Sequence, residues 1–134
     1  MKKSHTGSCH CGEVRFEVDL DLSSGTGKCN CSFCTKQRAW NALVPPQDFR
    51  LVQGEEALSD YQFGSRVGRQ LFCRHCGVRP FARGYIEEIG GDYFAVNVAA
   101  LDGVSAAELG SAPVRYFDGR HNNWQAEPEE TAHL

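Results

Sequence analysis

The sequence contains no apolar run near the ~20 residues that a membrane-spanning helix requires. Its most apolar window, YFAVNVAAL from Tyr93 to Leu101, has the length of a strand and carries Asn97. No apolar stretch follows the two lysines after Met1 either: MKKSHTGSCHCG turns polar at once, unlike a secretory signal. Positive charge is also scarce. Fourteen Lys and Arg face seventeen Asp and Glu, for a formal net charge of −3. No stripe interleaves basic with aromatic residues, so nothing attracts a polyanion. These absences point to a cytoplasmic protein whose partners include neither a membrane nor a nucleic acid. With 41% hydrophobic and 23% charged residues, the composition is globular, not disordered or collagen-like.

A chain of 134 residues is one domain's worth and is expected to bury about two-thirds of its unfolded surface. The expectation is a single domain over residues 1–134, with its core at about residues 5–125 and a polar tail, QAEPEETAHL, that frays. Amphipathic helices of useful length are missing, and fourteen glycines favour turns and β-structure. EVRFEVDL, Glu13 to Leu20, alternates apolar and polar residues with the period of a half-buried strand. RAWNALV, stopped by Pro45-Pro46, QDFRLVQG, ALSDYQFGS, GRQLF, GDYFAVNVAAL and VRYF read as further strands. SAAELGSAP reads as at most one helical turn, and Asp118-Gly119 as a turn. The fold class is mainly β.

What the chain has in excess is cysteine. Its seven cysteines fall as two, three and two: Cys9 and Cys11 in CHC, Cys29, Cys31 and Cys34 in CNCSFC, and Cys73 and Cys76 in CRHC. In a reducing compartment such clusters read as metal ligands rather than disulfides. Soft thiolates select zinc, copper(I) or iron-sulfur clusters, and the CxC spacing fits no iron-sulfur pattern, so zinc is expected. Two Zn2+ on seven thiolates would take the net charge from −3 to −6.

Structural zinc takes four protein ligands, whereas catalytic zinc takes three and leaves a position open. Cys9, Cys11, Cys73 and Cys76, at strand ends beside Gly12 and Gly77, can close a four-thiolate site that joins distant parts of the chain. Cys29, Cys31 and Cys34, expected on one loop between strands, can occupy one face of a second ion but hardly surround it. Crossed sites, for example Cys9 and Cys11 with two of the loop cysteines, satisfy the spacing as well. So does a closed second site completed by a carboxylate or by a histidine, with His5, His10 and His75 as candidates. His10 and His75 each lie between two cysteines, where a side chain usually points away from the metal.

GSCHCGEVRFEV, CNCSFC and LFCRHCGVRPF together resemble the glutathione-dependent formaldehyde-activating enzymes, a family that shares its domain with centromere protein V. The ending YFDGRHNNW is similar to bacterial members. The resemblance implies several small coiled β-sheets around two zinc ions, one structural on the outer cysteine pairs and one catalytic on the triple. It also implies a carbon-sulfur lyase run in the synthetic direction, adding glutathione to formaldehyde to give S-(hydroxymethyl)glutathione. Glutathione, or another small thiol, and an aldehyde are then the partners.

Three thiolates leave Zn2+ with a net charge of −1, still able to take a fourth thiolate and lower its pKa, and a metal in so open a site is expected to be labile. Lys28, Lys36 and Arg38 flank the triple, and Arg74, Arg79 and Arg83 lie in or after the last pair. Each is a candidate cation for the carboxylates of glutathione or simply part of a solvated basic rim. Phe33 walls the site or packs, and Trp40 and Trp124 read as core or anchoring residues. The alternative function is a noncatalytic zinc module that binds a thiol, a protein or a nucleic acid.

Overall fold

The computed structural model describes residues 1–134. In chain order its elements are β1 (Lys3–Ser8), β2 (Arg15–Leu20), β3 (Thr26–Cys29), α1 (Ser32–Gln37), β4 (Asn41–Val44), β5 (Phe49–Gln53), β6 (Leu58–Tyr61), β7 (Arg69–Cys73), β8 (Phe81–Ile86), β9 (Gly91–Asn97), β10 (Leu101–Asp102), α2 (Ala106–Ser111) and β11 (Val114–Phe117). The protein is mainly β. One sheet runs β10-β1-β2-β5 and the other β11-β3-β4-β9-β8-β7-β6.

The alternation in β2 does what its period demands: Phe16, Val18 and Leu20 are buried. Phe16 stacks on Phe49 of the same sheet, and Phe49 lies 4.2 Å from Phe94 of the other, so aromatic rings fill the space between the two sheets. β1, KSHTGS, carries no apolar pattern. It is a strand because β2 and β10 supply hydrogen-bonding edges on either side, and because the Phe16 ring lies over Gly7, where any side chain would overlap it.

Four expectations are corrected. The triple does not sit on a loop between strands: Cys29 ends β3, Cys31 caps α1 and Cys34 lies within α1. RAWNALV is a strand only from Asn41, because Arg38 adopts φ 51° as the left-handed end of α1. The tail does not fray at its end. Leu134 is buried, and its carbonyl accepts hydrogen bonds from Lys28 Nζ and Arg38 Nη2, both at 3.3 Å. SAAELGSAP forms more than the single turn expected, a helix of six residues, α2, whose Ser105 side chain accepts from the Glu108 N–H.

Register fixes which residues share the outer face of the larger sheet. Gly27 pairs with Asn41 and Asn41 with Asn97, so all three point to one side. Cys29, two residues beyond Gly27, and Tyr93, four before Asn97, point to the same side. Lys28 points to the opposite one, where its Nζ lies 5.9 Å from the centre of the Trp40 ring.

Candidate metal centres

The seven sulfurs form two groups, Cys9, Cys11, Cys73 and Cys76 in one and Cys29, Cys31 and Cys34 in the other, each with its members within 4.8 Å of one another. No histidine joins either group, and His10 and His75 are exposed. Either group can hold a metal ion.

The four-cysteine group joins the turn after β1 to the turn after β7. The N–H of Val14 donates to Cys9 Sγ at 3.3 Å and that of His75 to Cys73 Sγ at 3.4 Å, as thiolates on a metal require. Cys11 Sγ lies 3.6 Å from both Cys9 Sγ and Cys73 Sγ. Sulfurs about 2.3 Å from a central zinc in a tetrahedron stand about 3.8 Å apart, so the group fits that ion. Cys9 and Cys73 are 3% and 0% exposed, which makes the group part of the core. A Glu13 backbone N–H favours the Cys11 thiolate, but burial and the sulfurs of Cys9, Cys73 and Cys76 push that thiol up to about 12. Desolvation opposes ionisation at Cys76, yet backbone N–H groups of Val78 and Cys11 bring it down to about 6.

The three-cysteine group is folded locally. Cys31 accepts from the Cys34 N–H as the cap of α1, and Cys29 Sγ accepts from the Cys31 N–H at 3.3 Å. The Cys29 and Cys34 sulfurs, with the N–H groups of Cys34 and Phe33, bring Cys31 down to about 2. Hydrogen bonding to Cys31 holds Cys29 up, and Cys29, Cys31 and burial hold Cys34 far above the ordinary thiol range. One negative charge is thus shared by three thiols, and a cation must displace the remaining protons to gather all three as ligands.

The turn after β11 closes over this group. Asn30, 7% exposed between two of the cysteines, donates from Nδ2 to Asp118 at 2.9 Å and accepts on Oδ1 from the Arg120 N–H at 2.9 Å. Arg120 Nε also donates to the Asn30 carbonyl, and Asp118 accepts from His121 Nδ1 at 2.9 Å. Hydrogen bonding to Asn30 leads the causes that lower the Asp118 pKa. Gly119 lies against Cys29 Sγ and the Trp124 ring. The Asp118-Gly119 turn is therefore also a wall of the centre, and Trp124 is part of it. Sequence reasoning passed over Asn30, although an amide between two ligand cysteines was the available signal.

The cations divide. Lys28 and Arg38 are held by the Leu134 carbonyl, while Lys36, Arg74 and Arg83 are exposed. Arg79 is 6% exposed and donates from Nη2 to Asn41 Oδ1 at 2.8 Å, and Asn97 Nδ2 donates to its carbonyl. Desolvation leads in lowering its pKa, and negative charge in the three-thiol group opposes that shift. Desolvation, then the Cys34, Cys29 and Cys31 charges, raise the Tyr93 phenol on the same face. Phe33 neither stands alone nor enters the main core: it stacks on Tyr61 and Phe63 at 5.9 and 5.6 Å.

Fold and site together define a mainly β protein with two cysteine-built centres, one of four thiols anchored in the core by Cys9 and Cys73 and one of three at the face of a sheet. The family model for the glutathione-dependent formaldehyde-activating enzyme matches residues 4–116, and the chain belongs to that family. A curated protein of Halomonas elongata, provisionally named as such an enzyme, is 35% identical over 78 residues, 52% of this chain and 50% of that protein. The match thus spans half the length of that relative. A crystal structure of a Rhodobacter sphaeroides protein, 39% identical, covers 82% of this chain and 99% of its own with a TM-score of 0.68.

Proposed function

We propose that the chain is a cytoplasmic, zinc-dependent enzyme of the carbon-sulfur lyase type that joins a small thiol such as glutathione to formaldehyde, giving S-(hydroxymethyl)glutathione. The observation that carries this reading is the division of seven thiols into a group of four rooted in the core through Cys9 and Cys73 and a group of three, all half-buried, where β3 meets α1. In the proposal Cys9, Cys11, Cys73 and Cys76 hold a structural zinc, and Cys29, Cys31 and Cys34 hold the catalytic one. Held by these three thiolates, zinc would supply a Lewis acid with an open position, which would lower the pKa of a substrate thiol and so provide a nucleophile at neutral pH.

The residues of the chain orient and shield that chemistry. N–H donors from Cys31 and Cys34 fix the directions of two sulfurs, and Asn30 ties their segment to the turn at Asp118–Arg120. Gly119 and Trp124 cover Cys29 on one side, which limits approach to the remaining side. Calorimetry of glutathione and of S-methylglutathione against the zinc-loaded wild type and Cys31→Ser tests the reading. Binding of glutathione alone, and by the wild type alone, is expected. Equal binding of the two ligands, or by the two proteins, would favour a noncatalytic zinc module instead.

A further inference from the structure

Arg79 is the buried cation of the three-thiol face, and one of its donors is unused. Its Nη2 is spent on Asn41 Oδ1, but its Nη1 is buried without a hydrogen-bond partner. A guanidinium at 6% exposure with an idle donor is costly, since a buried polar group without a partner loses its hydration for nothing. The cation is nevertheless held in place from both ends, by Asn41 at the guanidinium and by Asn97 at the carbonyl. Both asparagines lie on the sheet face that carries Cys29.

We propose that Arg79 is a substrate-binding catalytic residue, its Nη1 donating a hydrogen bond to the aldehyde oxygen as that oxygen becomes an alkoxide. The assignment rests on the thiol-aldehyde reading given above. When the substrate thiolate attacks, its sulfur lone pair forms the C–S bond and the carbonyl π pair passes to oxygen. The alkoxide then takes a proton from water, replacing the one the thiol gave to solvent on ionising. Arg79 transfers no proton, because a guanidinium stays charged; it stabilises the charge as it appears. A buried donor suits that oxygen, which lies one bond from the carbon bonded to sulfur. The carboxylates of glutathione lie several bonds away, and the exposed Lys36 in the last turn of α1 is a separate cation for them.

The test compares wild type, Arg79→Met and Arg79→Lys by three measurements. Cobalt(II) absorption reports metal at both centres, and calorimetry gives affinity for glutathione and for 2-mercaptoethanol, which has no carboxylate. Exchange NMR gives the rate of adduct formation above the uncatalysed reaction. Arg79→Met is expected to keep both cobalt sites and both thiol affinities while the catalysed rate falls about 100-fold. Arg79→Lys, which keeps a cation but not the two-pronged donor, is expected to lose less, with KM for the thiol unchanged; it carries the test should the Met variant not fold. Three results would overturn the assignment: an unchanged rate, weaker binding of glutathione but not of 2-mercaptoethanol, or loss of cobalt from the three-thiol centre. A wild type that binds no thiol would overturn the proposed function itself, and this assignment with it.

Discussion

Replacing Gly119 by alanine isolates the three-thiol centre from the rest of the molecule. The backbone there is not in the left-handed region, so the perturbation is steric alone. A Cβ would overlap Cys29 Sγ and stand 2.7 Å from Trp124 Cη2. The turn cannot easily retreat, because Asn30 holds it through Asp118 and through the Arg120 N–H. Trp124, 45% exposed, can swing aside, so the displaced atom is the sulfur, by about 1 Å if ordinary contact is to be restored. Ligand distances tolerate only about 0.2 Å, and one of three ligands is therefore lost. The fold should survive, since overpacking at one site costs about 1–3 kcal/mol against a total stability of about 5–15 kcal/mol. Metal analysis with circular dichroism should find about one zinc per chain in place of two, with the β signature intact. A Gly119→Ala protein with two zinc ions and wild-type stability would refute the reasoning, as would one that loses both.

Cys73→Ser should act at the other extreme: its sulfur is 0% exposed in a group that joins separate strands, and losing it should cost more than about 3 kcal/mol and with it the native circular dichroism spectrum. Zinc affinity at the three-thiol centre should rise with pH. Cys29 and Cys34 are held above the ordinary thiol range and Cys31 below it, so zinc displaces two protons near neutrality, and the second zinc should bind about 100-fold more tightly per pH unit between pH 6 and 8. Chelator competition measures this, and a slope near zero would mean the thiols are already ionised. Gly54→Ala should leave zinc content unchanged yet destabilise by about 2–4 kcal/mol in thermal melts, because φ 92° excludes a side chain and its Cβ would stand 2.8 Å from Val14 Cα.

Wherever side chains alternate about a buried face the sequence was readable, as in β2, and wherever thiols cluster the partition into four and three could be reasoned from coordination number. The elements it concealed owe their form to partners. β1 has no pattern of its own and is set by its neighbours, and β3 lies in a glycine-containing stretch that pairs with β11, far along the chain. The six-residue helix that carries Cys34 is too short for hydrophobic periodicity to announce it. Arg79 was one of three ambiguous arginines near the last cysteine pair. Only tertiary packing distinguishes it, since burial and the contact with Asn41 depend on residues 38 positions apart.

The parallel pairing of β11 with β3, together with the turn that follows it, has a consequence for the order in which the protein matures. During synthesis Cys29, Cys31 and Cys34 leave the ribosome early and adjacent, able to capture a metal as a short peptide would. Asp118 and Arg120, which bind Asn30, and Gly119, which covers Cys29, arrive about ninety residues later, several seconds at ordinary rates of translation. Until then the thiols are open on every side to oxidants and to competing metals. The nascent chain is thus most vulnerable at the segment to which the proposed chemistry is assigned, and it passes out of that state only when β11 docks.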